Sequence, residues 1–132
     1  MIEKIGFRTR LKLDYEQAVL AARAALQEEG FGVLTEIDVK ATLKAKLDKD
    51  LRRYVILGAC NPALAHRALD TDPSVGLLLP CNVIVYEEGD GSVVAAVDPL
   101  SLLGVLDNPS LREVAQEAET RLRRAIDGLG AG

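Results

Sequence analysis

Cys60 and Cys81 are the two cysteines of this chain, and each is followed at once by an asparagine, in "GACNP" (58–62) and "PCN" (80–82). Thiol chemistry is therefore the first chemistry to weigh. Cys60 stands immediately before Asn61-Pro62. Asn at a cap followed by Pro at the first helical position starts a helix, because the Asn side chain accepts a backbone N–H and Pro lacks only a donor that would be orphaned there. A thiol at the positive end of a helix is expected to have a lowered pKa. His66, the single histidine, lies about one turn into that helix, and an imidazole near a thiol suits a nucleophile or a soft-metal site. The alternative is plain: a buried Cys is a small hydrophobe, and one His on a helix serves a structural hydrogen bond.

Cys81 follows Pro80 inside an apolar run and shares a strand face with Val83 and Val85, which reads as burial. Asn82 takes the other face with Ile84 and Tyr86 and is the odd polar residue of that strand. The two cysteines are 21 residues apart, so they form no CxxC pair. Together with His66 they fall one ligand short of a closed zinc site. They meet only if the strands that carry them are neighbours; a parallel pair joined by the intervening helix would set both thiols at one level. Glycine-rich phosphate loops, GxSxG and HExxH are absent from the sequence.

The elements that must position these residues are legible from their periods. Residues 4–13 alternate, with Ile5, Phe7, Thr9, Leu11 and Leu13 on one face, as in a half-buried strand. Asp14 caps a helix with Gln17 at the capping-box position and Gly30 as its stop. "FGVLTEID" is a strand, "VKATLKAKLDKDL" a short helix with Val39, Leu43 and Leu47 inward, and "RRYVILGA" a strand. Helices start at Pro62, Pro99 and Pro109, the last running to 127. Asp72-Pro73 is expected to make a turn before strands "VGLLL", "CNVIVYE" and "SVVAAV", and "GLGAG" a frayed tail. This order predicts an α+β two-layer sandwich, a mostly antiparallel sheet with helices on one face. Residues 1–127 would form one domain and 128–132 a flexible tail.

The 132-residue length suits one domain with its own core. With 48% hydrophobic and only 4% aromatic residues, that core must be built from Leu, Val, Ile and Ala. A formal charge of −4 argues against a nucleic-acid partner, which needs a basic face. The longest apolar run, "VGLLLPCNVIVY", is too short to span a bilayer, and the charged start has no apolar leader. A cytoplasmic protein is the expectation, with its cysteines kept as thiols. Apolar residues on both faces of the later strands point to a homodimer through the sheet or its edge.

The stretches "YVILGACNPALAHRAL" and "GLLLPCNVIVYE", with "AVDP" after them, resemble the domain-of-unknown-function 302 family, small bacterial and archaeal proteins. The likeness runs from about residue 4 to 126. It implies a compact α+β sandwich near the TATA-binding-protein-like folds, with members that dimerise, and it carries no activity. Cys60, Asn61, His66, Cys81 and Asn82 sit on the motif positions.

Three functions follow as expectations. The first is a binding module, with a small molecule or a soft metal ion such as Cu(I) held among Cys60, Asn61, His66, Cys81 and Asn82. The second is a thiol enzyme, with Cys60 as nucleophile or redox centre, His66 tuning it and Cys81 resolving. The third is a structural or protein-interaction domain with both thiols in the core.

Overall fold

The computed structural model describes residues 2–131. The elements run α1 (Ile2–Ile5), β1 (Gly6–Leu11), α2 (Tyr15–Glu28), β2 (Gly32–Asp38), α3 (Val39–Leu47), β3 (Tyr54–Cys60), α4 (Pro62–Thr71), a 3-10 segment (Pro73–Leu78), β4 (Cys81–Glu88), β5 (Gly91–Val97), α5 (Pro99–Leu103), a short 3-10 turn (Gly104–Leu106) and α6 (Pro109–Ala131).

Asp and Asn start the helices, as the local sequence demands. The Asp14 carboxylate accepts the Gln17 amide at 2.8 Å, Asp38 that of Ala41 at 2.9 Å, and Asn61 that of Leu64 at 3.2 Å. Asp98 and Asn108 do the same for Leu100 and Ser110, each at 2.9 Å. Each such cap stabilises its helix by about 1 kcal/mol.

The same chemistry overturns one expectation. Asp72-Pro73 does not turn the chain into a strand. Asp72 accepts the Ser74 amide at 2.9 Å and opens the 3-10 segment, so "VGLLL" is helical over most of its length. A short apolar run reads alike for a buried strand and a buried helical turn; the cap decides. Two further corrections concern helix ends. α3 stops at Leu47, which is 63% exposed rather than inward, because Asp48 adopts a left-handed conformation (φ 53°). Beyond residue 127, α6 continues through 128–131 where a flexible tail was expected. Leu129 packs on the core there, and a Cβ on Gly130 would approach the Thr9 hydroxyl to 2.6 Å, so this end lies against β1. Gly132 lies outside the described residues.

The five strands form one antiparallel sheet in the order β1-β5-β4-β3-β2, as an α+β sandwich requires. Cross-strand partners share a face. One face carries Leu11, Val94, Val85, Val83, Leu57 and Ala59, and α2 and α6 cover it with Ala18, Ala22, Leu26, Leu122 and Ile126. Burying a side chain such as Leu26 or Leu57 fully contributes roughly 1.5–3 kcal/mol. A second apolar cluster, built from Leu64, Ala68, Val75, Leu103, Leu111 and Val114, joins α4, the 3-10 segment, α5 and the start of α6. None of the described helices is long and apolar enough to cross a membrane.

Candidate functional site

β3 and β4 run antiparallel, with Ala59 opposite Cys81. The last residue of β3, Cys60, and the first of β4, Cys81, therefore reach the same end of the sheet. They are brought together by an antiparallel pair, not by the parallel crossover weighed from sequence. Both line one small cavity with Asn61, Phe31, Leu79 and Pro80. It sits at the seam between the two apolar clusters, since Phe31 and Ala59 belong to one and Leu64 and Leu103 to the other. Its volume is about 30 Å³. That is room for a water molecule or two, far below the roughly 300 Å³ at which small-molecule pockets begin.

Both thiols are free, Cys60 half-buried and Cys81 buried. Burial pushes the Cys60 thiol up. This reverses the lowering expected at a helix start. The Leu64 amide is already taken by Asn61, and Cys60 itself ends a strand among apolar side chains, so desolvation wins. Burial raises Cys81 further, from 9.0 to about 11, with Cys60 adding to the rise. At neutral pH both are thiols, not thiolates.

His66 does not join them. α4 turns Leu64 and Ala68 inward, and residue 66, two positions from each, projects about 200° away on a helix of 3.6 residues per turn. Its side chain is exposed and lies outside the cavity lining. Asn82 is also apart. It follows Cys81 in an alternating strand, so it faces the opposite side of the sheet and is exposed. The five residues singled out from sequence thus divide: Cys60, Asn61 and Cys81 share the cavity, while His66 and Asn82 do not. Among the described residues, no three or more His, Cys, Asp or Glu side chains converge to hold a metal ion.

The side of the sheet away from α2 and α6 carries, besides Asn82, residues that the site read from sequence did not include. Three rows cross it. Ile37, Ile56, Ile84, Ala95 and Arg8 stand level with one another through successive pairings. Tyr54, Tyr86, Val93 and Arg10 form the next row, with the two tyrosine rings stacked at 5.4 Å and 7°. On the other side, Thr35 pairs with Gly58, Gly58 with Asn82, and Val97 with Gly6. The face bears Ile37 at 48% exposure and a groove of about 210 Å³ lined by Ile5, Gly6, Asn82, Ile84, Ala95 and Val97. The signal in the sequence was the apolar residues on both faces of β3, β4 and β5.

At the opposite end of the sheet, Tyr15, Asp38, Lys40, Lys44, Asp50 and Arg53 surround a space of about 390 Å³. Its cations are already engaged. The Arg53 amide and Nε donate to Glu87 at 2.9 and 3.1 Å, the Lys40 ammonium donates to the Leu51 carbonyl at 2.7 Å, and Lys44 pairs with Asp48 at 2.8 Å. This network ties β3, β4 and α3 together.

A model of the family described as "Domain of unknown function DUF302" matches residues 7–129. An uncharacterized protein of Aquifex aeolicus (strain VF5) is 25% identical over 135 residues, which spans 98% of this chain and 88% of that protein. The crystal structure of an uncharacterized conserved DUF302 protein from Bacillus stearothermophilus superposes with a TM-score of 0.86 at 31% identity, over 92% of this chain and 95% of that one. Sequence and fold agree over nearly the whole chain, and the protein belongs to the DUF302 family.

Proposed function

We propose that this protein is a self-associating interaction module whose uncovered sheet face is its working surface. One observation carries this reading: the level apolar residues Ile37, Ile56, Ile84 and Ala95 of β2, β3, β4 and β5 on the side away from the helices. At about 4.8 Å between strands and about 3.3 Å per residue, such a face projects roughly 500 Å², and its side-chain relief raises the accessible area further. A standard interface takes about 800 Å² per partner. The occupant that fits is a second copy. No charged side chain stands among Ile37, Ile56, Ile84 and Ala95, so two copies of that row meet without repulsion, as a twofold interface requires, while the Arg52 guanidinium borders it over the Tyr86 ring at 5.6 Å. Arg8 and Arg10 stand at the β1 rim, where Arg10 is held by Glu88 at 3.1 Å.

Sedimentation equilibrium at 1–100 μM tests it. The expected result is a dimer that Ile56→Asp and Ile37→Asp dissociate while the circular dichroism of each variant stays native. Ile37 is exposed at an edge strand, so that second variant keeps the test sound if Ile56→Asp misfolds. A wild-type monomer throughout the range, or a dimer indifferent to Ile37→Asp, overturns the reading.

A second reading rests on the two thiols that share one cavity. Thiolates select soft ions, and Cys60 with Cys81 would supply a two-coordinate site for Cu(I) in a space too small for an organic ligand. Because both thiols are held protonated, binding must release two protons and tighten as pH rises. Titration with Cu(I) under a competing chelator should show one equivalent bound, lost in Cys60→Ser and in Cys81→Ser. Equal retention by either variant removes this reading.

A further inference from the structure

The segment between Phe31 and Leu51 differs from the rest of the chain. No residue from 32 to 50 is buried, although the stretch holds all of β2 and all of α3. Neither apolar cluster takes a buried member from it. β2 is an edge strand, so lifting it away leaves β1-β5-β4-β3 with the buried residues of both clusters in place. Little holds the segment down. Its ladder to β3 breaks register between Val33 and Thr35, and Val33 is only half-buried where it packs on the core. Among the described residues, the ion pair that fastens the segment to another element is Arg23–Glu36 at 2.9 Å, with side chains 36% and 49% exposed, and so exposed a pair adds little. Lys40 and Lys44 bond to Leu51, Asp48 and Asp50, which holds α3 to the link before β3 and not to the sheet. That link begins at left-handed Asp48 (φ 53°) and has no strand or helix until Tyr54. At the other end, buried Phe31 is the fixed point.

We infer that Gly32–Leu47 opens off β3 as one unit, about Phe31 and the link 48–53, and that this opening is the route to the Cys60 thiol. β2 begins beside that thiol: Gly32 stands opposite Cys60 and Val33 opposite Ala59. Phe31, Ala59 and Cys60 line one cavity. Separating β2 from β3 therefore strips a neighbouring strand from Cys60 and bares the border of the cavity there. Cys81 stays closed, because β4 remains paired with β3 on one side and β5 on the other. Opening an element that buries so little costs far less than unfolding the chain, so the gate operates in the native protein. It is independent of self-association and concerns access to the thiol, whichever ion or reagent arrives.

Hydrogen exchange and thiol labelling of the same variants test it. In the wild type, the hydrogen-bonded amides of β2 and α3 should share one protection factor, at least about a hundredfold below that of β4 and β5. Glu36→Arg sets like charges face to face where the ion pair stood, and Val33→Ala trims the half-buried contact. Each should speed exchange across 32–47 by at least about threefold, speed Cys60 labelling by N-ethylmaleimide at pH 8 by the same factor, and leave exchange in β4 and β5 unchanged. Glu36 is exposed, so its variant keeps the fold. Val33→Ala alters no charge, so it separates opening from any effect on thiol ionisation. Protection of β2 and α3 equal to that of β4 and β5, exchange of α3 independent of β2, or exchange that neither variant speeds overturns the unit. Faster exchange with Cys60 labelling at the wild-type rate overturns the gate.

Discussion

Cys81 stands opposite Ala59, not opposite Cys60, in the β3–β4 ladder. The two thiols are therefore one residue out of register at the same end of the sheet, and both border a cavity at the seam of two apolar clusters. Their surroundings keep them protonated, and several measurable properties follow.

Alkylation should be slow. Burial raises both thiols, and only the thiolate reacts. In native protein at pH 7, Cys60 is expected to react with maleimide well below the rate of a free cysteine, and Cys81 only after unfolding. The Cys60 rate should climb as pH passes 9. A fast reaction at pH 7 that levels off below that pH would show a thiolate and refute the assignment.

Stability should fall in alkali. Cys81 has a pKa of 9.0 unperturbed and about 11 in the fold. The folded state holds its proton more tightly than the unfolded chain does, so the stabilisation is complete below pH 9 and disappears as pH rises through 11. Two units correspond to about 2.7 kcal/mol. Urea midpoints measured from pH 8 to 11 should drop more steeply for the wild type than for Cys81→Ser. Parallel curves would mean that Cys81 does not carry the effect.

Gly58 is needed for space. A Cβ there would run into Thr35 and Pro80, so Gly58→Ala is expected to cost about 1–3 kcal/mol, as overpacking does. Thr35→Ala in the same chain should return part of that loss. A double-mutant cycle by urea denaturation reads the coupling, and a coupling of zero would place the strain elsewhere.

Asn61 is primarily a helix cap. Its carbonyl oxygen accepts the Leu64 amide. Asn61→Asp keeps an acceptor there and should unfold within about 0.5 kcal/mol of wild type, whereas Asn61→Ala should lose about 1 kcal/mol. Equal losses in the two variants would mean that the amide nitrogen matters more than the cap.

Much of the fold was written locally. Asp14, Asn61, Asp98 and Asn108 each cap the helix that follows, because a cap needs only the side chain and the next two or three amides. Alternation in β1 and β4 named the buried face correctly for the same reason: the period belongs to the strand itself. Even the exclusion of His66 from the cavity was available, since Leu64 and Ala68 as inward positions leave residue 66 on the far side of α4. Where an apolar run had two local solutions, as in "VGLLL", the periodicity could not choose, and the Asp72 cap did.

Pairing between distant segments is a different matter. Nothing within "YVILGAC" or "PCNVIVY" states that they are antiparallel neighbours with Ala59 opposite Cys81. That register comes from hydrogen bonds and side-chain packing across the sheet, and it alone brings Cys60 and Cys81 to one cavity. The same holds for the pK of Cys60. Its place before a helix favoured a thiolate, but its desolvation depends on Phe31, Leu79 and Pro80, which reach it only through the tertiary fold. By itself the sequence determined the elements, their caps and the α+β class, because these depend on neighbours a few residues away. Which thiols meet, which way their protons are held, and which sheet face is left uncovered were decided by contacts between residues far apart in the chain.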